Sequence, residues 1–109
     1  MSYSIEHYHT ADGVDVFERW LVNLADPKAR ARVMSRLYKI ENGLLGDCKP
    51  VQQGVWEFRI DYGPGYRIYY SLMGTKVVLL LSAGDKRKQR ADIERAVEHL
   101  QDYKRRFYL

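Results

Sequence analysis

The chain has a single cysteine in 109 residues, Cys48, and so can form no internal disulfide. No apolar run approaches the ~20 residues needed to cross a bilayer. The longest, Val77 to Leu81, has the length of a strand. The opening residues, Met1 to Glu6, carry neither the basic nor the apolar region of a signal peptide. These absences point to the cytosol and to no membrane partner. A lone cysteine leaves no zinc-ligand spacing, and neither GxGxxG nor a Walker-type phosphate loop occurs, so no metal and no cofactor are expected. There is no repeat, low-complexity tract or linker, and the length suits one domain over residues 1–109.

What the sequence does contain is an ordinary globular mixture, 46% hydrophobic and 29% charged, which argues against disorder. The net charge is +4, and its placement says more than its size. Residues 86–106 hold eight basic side chains (Lys86, Arg87, Lys88, Arg90, Arg95, Lys104, Arg105, Arg106) against four acidic ones. The rest of the chain is balanced, ten against ten, so the whole excess lies near the C-terminal end. Such an asymmetry suits a polyanion or an acidic protein partner, or else a solvated basic helix.

Periodicity gives the order of elements. Residues 3–9 alternate weakly and read as a first strand. A helix is expected from about Asp12 to Leu24, with Val14, Phe17, Leu21 and Leu24 at helical spacing and Trp20 widening the stripe. Asp26-Pro27 starts a second helix: the aspartate caps free amides and the proline at the first helical position loses no hydrogen bond. That helix buries Val33, Leu37, Ile40 and Leu44 and stops at Asn42-Gly43. The short connection predicts an antiparallel helix hairpin.

The second half changes to a period of two. Trp56, Phe58, Ile60 and Tyr62 share one face of a strand, with Val55, Glu57, Arg59 and Asp61 on the other. After Gly63-Pro64-Gly65 the alternation resumes with Tyr66, Ile68, Tyr70 and Leu72 against Arg67, Tyr69, Ser71 and Met73. A three-residue turn at 63–65 would set Ile60 opposite Ile68, Asp61 opposite Arg67 and Arg59 opposite Tyr69. A one-residue slip would drive Arg67 into the apolar face. Lys76 to Ser82 is apolar on both faces and should be central. A last helix, roughly Lys88 to Arg106, packs through Ile93, Ala96, Val97, Leu100 and Tyr103. The order is β-α-α-β-β-β-α, with an extra short strand near Lys49–Gln52. The expected fold is α+β: a helix hairpin on a twisted, mainly antiparallel sheet of four to five strands, with a C-terminal helix.

Two clusters could carry chemistry. The sheet face opposite the hairpin presents Glu57, Arg59, Arg67 and Tyr69, held rigidly by strands. Arginine binds phosphate oxygens through two parallel hydrogen bonds and keeps its charge at physiological pH. Alternatively, Asp61–Arg67 and Glu57–Arg59 are surface ion pairs worth ~0–1 kcal/mol. The second cluster is Gly84-Asp85-Lys86-Arg87-Lys88-Gln89-Arg90, a strand-to-helix junction whose amides and cations attract phosphates. His7, His9 and His99 lie away from both clusters and read as surface or packing residues. Most of the aromatic side chains fall on core faces.

The run from Val55 to Tyr70, VWEFRIDYGPGYRIYY, resembles the central hairpin of RelE/ParE-superfamily toxins, closest to the HigB-like branch of addiction-module killer proteins. Leu79 to Lys86, followed by Gln89 and Asp92-Ile93, is similar to that branch's next strand and its Gly-Asp-Lys…Gln…Asp-Ile junction. Lys49-Pro50-Val51 and the arginine-rich second helix fit as well. The similarity covers roughly residues 15–100. It implies a type II toxin neutralised by a cognate antitoxin, a HigA-like helix-turn-helix protein, with a toxin–antitoxin heterotetramer as one assembly open to the pair. It also implies a metal-independent endoribonuclease that cuts mRNA on the ribosome. On this reading Arg67 clamps the transition state, Arg59 and Lys86 hold flanking phosphates, and Glu57 orients an arginine or serves as base. RNA contacts would come from Lys49, Tyr69, Arg87, Lys88, Gln89 and Arg90. The tyrosine or histidine that some relatives carry at the start of the last helix is replaced here by Arg90, Ala91, Asp92 and Ile93. That departure leaves open a gyrase-inhibiting, ParE-like toxin without nuclease activity, or a phage-derived relative that only binds its antitoxin.

Overall fold

A computed structural model describes residues 2–108; Met1 and Leu109, the ends of the expected 1–109 domain, lie outside the described residues. In chain order the elements are β1 (Ser4–His7), α1 (Val16–Val22), α2 (Pro27–Glu41), β2 (Cys48–Gln52), β3 (Val55–Ile60), β4 (Tyr66–Met73), β5 (Val77–Asp85) and α3 (Gln89–Phe107). A single 3-10 turn, Lys86–Lys88, joins β5 to α3. The five strands form one mixed sheet in the order β1-β5-β4-β3-β2. Three pairings are antiparallel, and β1 lies parallel to β5 at one edge.

Local chemistry explains the boundaries. α1 starts at Val16 rather than near Asp12, because residues 10–14 are spent on a turn. The Gly13 amide donates to the Thr10 carbonyl, and the Val14 amide donates to Thr10 Oγ1. Asp15 then caps the helix, accepting from the Glu18 amide at 3.0 Å. Asp26 caps α2 from the Lys28 amide at 2.9 Å with Pro27 at the first helical position. That amide holds the Asp26 carboxyl below the usual carboxylate range. α2 ends at Asn42-Gly43, but Leu44 lies beyond the helix and is exposed.

Strand β5 is interior, between the edge strand β1 and the middle strand β4, and is buried on both faces as its unbroken apolar run requires. One face of the sheet offers Phe58, Ile60, Tyr66, Ile68, Tyr70, Val78 and Leu80 to Phe17 and Leu21 of α1 and Val33, Leu37 and Ile40 of α2. The other face packs Val55, Tyr69, Leu79 and Leu81 against Ala96, Val97 and Leu100 of α3. Each large aliphatic or aromatic side chain buried in these layers contributes about 1.5–3 kcal/mol.

Two further expectations are corrected. The β3–β4 connection is five residues, 61–65, so Ile60 faces Tyr66, Arg59 faces Arg67 and Glu57 faces Tyr69. The shift from the three-residue turn is two positions. It leaves every side chain on its expected face but removes the Asp61–Arg67 pairing. The face carrying Glu57 and Tyr69 is also not open, because α3 lies across it. A bulge between Tyr69 and Tyr70 sets Tyr69 opposite Ser82 and Tyr70 opposite Leu80. Beyond that irregularity Ser82 and Gly84 meet α3, and Gly84 stands opposite Arg67.

Candidate phosphate-binding cleft

On β3 and β4, α3 covers the sheet only as far as Glu57 and Tyr69. The hairpin end of β3 and β4 is left open there as a cleft of 380 Å³. Arg59, Arg67 and Lys86 line it, with Asp47, Asp61, Tyr66 and the Gly63-Pro64-Gly65 turn completing the wall. Gly65 sits at φ +81°, a conformation that favours glycine, and a β-carbon there would lie 3.7 Å from an Arg67 nitrogen. That separation is ordinary contact, so it is the backbone conformation that calls for glycine, and Arg67 Nη1 donates to the Gly65 carbonyl at 3.3 Å.

The two arginines are direct cross-strand neighbours, an arrangement that like charges oppose. Each has its own counter-charge. Arg59 pairs with Asp47 at 3.2 Å on the exposed rim. Asp47 is brought there by Arg36 of α2, whose guanidinium donates to the carbonyls of Asp47, Leu45 and Arg59. Arg67 is only 11% exposed, and its Nε lies 3.8 Å from Oε1 of Glu57, which is completely buried. Neither of those two atoms has a hydrogen bond among the described residues, so this ionic contact is the main compensation each receives. Lys49, directly opposite Glu57 on β2, approaches the same oxygen at 3.9 Å. Gln89 donates to the other oxygen, Oε2, at 3.1 Å.

The four expected catalytic residues thus gather around one place: Arg59, Arg67 and Lys86 on the cleft, and Glu57 behind Arg67. The six expected RNA contacts do not act as a set. Arg87 is exposed and tied to Asp85 at 2.7 Å, while Lys88 and Arg90 are exposed at the start of α3. Lys49 and Gln89 turn toward Glu57. Tyr69 is a correction: it is fully buried beneath α3, so its ring offers no face to a base. Burial, with Glu57 and Asp92 nearby, also pushes its hydroxyl pKa far up and keeps it neutral. Three arginines farther along α3 have acidic partners of their own. Arg105 and Arg106 pair with Asp102, which accepts a 2.6 Å hydrogen bond from the Tyr8 hydroxyl, and Arg95 pairs with Asp92.

The Gly-Asp-Lys…Gln…Asp-Ile run now has a physical reading, residue by residue. Gly84 makes room for the Asp92 carboxyl, since a β-carbon at 84 would sit 2.0 Å from Asp92 Oδ2. Asp85 accepts from the Arg87 side chain and amide, which hold its carboxyl low. Lys86 enters the cleft and Gln89 reaches Glu57. Asp92 is buried, which raises its carboxyl pKa, and its own carbonyl accepts from Ser82 Oγ at 3.1 Å. The wall residues Asp47, Asp61 and Tyr66 were not singled out as site residues from the sequence. Only the glycine-proline-glycine turn beside them offered a signal. Among the described residues no group of side chains is arranged to hold a metal ion. No helix among them is long and apolar enough to cross a membrane.

The family model described as "Phage derived protein Gp49-like (DUF891)" matches residues 19–104, which include β2 to β5, the cleft and most of α3. An uncharacterized protein of Haemophilus influenzae is 40% identical over 80 residues, covering 73% of this chain and 81% of the relative. The match takes in the hairpin, the strand-to-helix junction and the buried Glu57 together, and on it the chain belongs to the phage-derived Gp49-like family, a family of RelE-like toxins.

Proposed function

We propose that this protein is the toxin of a type II toxin–antitoxin pair, of the HigB-like branch, and that it cuts mRNA on the ribosome. The observation that carries the reading is the cleft with Arg59 and Arg67 directly opposed and Lys86 beside them. Opposed like charges cost stability, and a phosphate bound between them turns that cost into affinity.

In the cleavage, the RNA 2′-hydroxyl oxygen bonds to the adjacent phosphorus and the bond from phosphorus to the 5′ oxygen breaks. Negative charge builds on the non-bridging oxygens in between. Arg67 stabilises that charge, anchored by Glu57, while Arg59 and Lys86 hold the flanking backbone. Charge stabilisation is what these residues supply. The 2′-hydroxyl proton leaves to solvent and the departing 5′ oxygen takes one from it, while Asp47 and Asp61 stand on the cleft's wall. Lys88 and Arg90, exposed at the start of α3, extend the cationic surface along the strand. The reading places the toxin in the cytosol, held in check by a helix-turn-helix antitoxin.

Induction in bacteria, followed by mapping of mRNA 5′ ends, tests the proposal. Codon-linked cuts that vanish in Arg67→Ala support it. Continued translation with accumulating DNA damage overturns it in favour of gyrase inhibition.

A further inference from the structure

Gln89 was expected at the RNA surface, and the structure turns it inward. We propose that Gln89 is a positioning residue for Arg67, acting through the buried carboxylate of Glu57, so that the way α3 sits on the sheet sets the aim of the cleft's central cation. The inference rests on the nuclease reading for its consequence, but not for its geometry.

Glu57 divides its two oxygens. Oε2 takes the Gln89 amide at 3.1 Å, and Oε1 faces Arg67 Nε at 3.8 Å and Lys49 Nζ at 3.9 Å. A fully buried carboxylate can rotate only as far as its partners permit, so the amide on one oxygen decides where the other points. The amide is neutral, and this matters: it fixes the carboxylate without cancelling the charge that Arg67 needs. A lysine at position 89 would compete with Arg67 for Glu57, and an apolar side chain would leave Oε2 buried and unsatisfied.

The donor is itself held in place. Three residues farther along α3, the Asp92 carboxyl fills the space that Gly84 leaves open, and Ser82 Oγ donates to the Asp92 carbonyl. Gly84 is the register partner of Arg67. The first turn of α3 is therefore seated on β5 at the step where β5 adjoins Arg67, and it reaches across to β3 through Gln89.

The test uses the full chain with Gln89→Met, which keeps length and packing, and Gln89→Lys, which brings a competing cation. Gln101→Ala, on an exposed part of α3, is the control. The first readout is the side-chain Nε–H resonance of Arg67, which burial against Glu57 shields from solvent exchange. Both Gln89 variants should speed that exchange at least about tenfold and shift the resonance, while the control leaves it unmoved. The second is cleavage of a defined mRNA on programmed ribosomes, where kcat should fall with little change in KM. An unmoved Arg67 resonance in both Gln89 variants overturns the proposal. So does a rise in KM alone, which would make Gln89 an RNA contact. If the resonance responds while wild-type protein cuts no mRNA, the positioning role stands and the nuclease reading fails.

Discussion

Replacing Gly84 by alanine tests the seating of α3 more sharply than any change in the core. The added β-carbon would stand 2.0 Å from Asp92 Oδ2 and 2.9 Å from its Cγ. The Asp92 side chain is only 8% exposed, and its backbone carbonyl is tied to Ser82 Oγ at 3.1 Å, so the carboxyl has little room to turn away. Either the first turn of α3 lifts from β5 or the carboxyl is forced into its neighbours. Overpacking of this kind costs about 1–3 kcal/mol. For a chain of this length that lowers Tm by roughly 5–20 °C, measurable by circular dichroism. Asp92→Ala in the same chain removes the obstructing group. The double variant should therefore be more stable than the sum of the two single losses predicts, by about 1–2 kcal/mol. A Gly84→Ala protein melting within about 1 °C of wild type would refute the reasoning, and so would strict additivity.

Three further outcomes follow from the same geometry. Burial raises the Asp92 carboxyl pKa, so the folded state holds this proton more tightly than the unfolded chain does. The stability it contributes is present at low pH and is lost as pH rises from the ordinary carboxylate value through the raised one. Asp92→Asn should accordingly gain stability relative to wild type as pH increases through that window; denaturant midpoints that differ by a constant amount would contradict this. Arg67→Ala should abolish toxicity and, by leaving Glu57 buried without its nearest cation, cost about 3 kcal/mol. Adding Glu57→Gln should recover much of that stability in urea unfolding but none of the toxicity. Asp47→Asn frees Arg59 from its exposed partner, changes stability by less than about 1 kcal/mol, and should tighten binding of a short RNA about two- to fivefold in low-salt fluorescence anisotropy; weaker binding would show that Asp47 positions Arg59 rather than competing for it.

Much of the fold was legible because its signals are local. Asp26-Pro27 is a capping signal contained in two residues, and β3 and β4 announce their faces by alternation. The apolar run of β5 requires burial on both sides, which only an interior strand receives. The site was legible in part. Arg59, Arg67 and Lys86 were expected together, and they line one cleft. Asp47 was not foreseen. It reaches Arg59 because Arg36, on a different element, gathers the carbonyls of residues 45, 47 and 59, a contact with no periodic signature. Tyr69 departs from its expected role for a related reason. Alternation says which face a side chain is on, but not whether a helix from elsewhere in the chain covers that face.

The small basic chain therefore determined by itself its α+β order of elements, the caps of α2, the two faces of its hairpin and the arginines that meet at one end of it. Tertiary structure alone decided the rest. A two-residue shift keeps every side chain on its face, so hydrophobic pattern cannot distinguish the three-residue turn from the five-residue connection; turn geometry chose the latter and set Arg59 opposite Arg67. The parallel pairing of β1 with β5 joins segments some seventy residues apart. Gln89 and Glu57 are 32 residues apart and meet because α3 crosses the sheet above them. Pattern is a property of neighbours along the chain, whereas a buried carboxylate finds its partners in space.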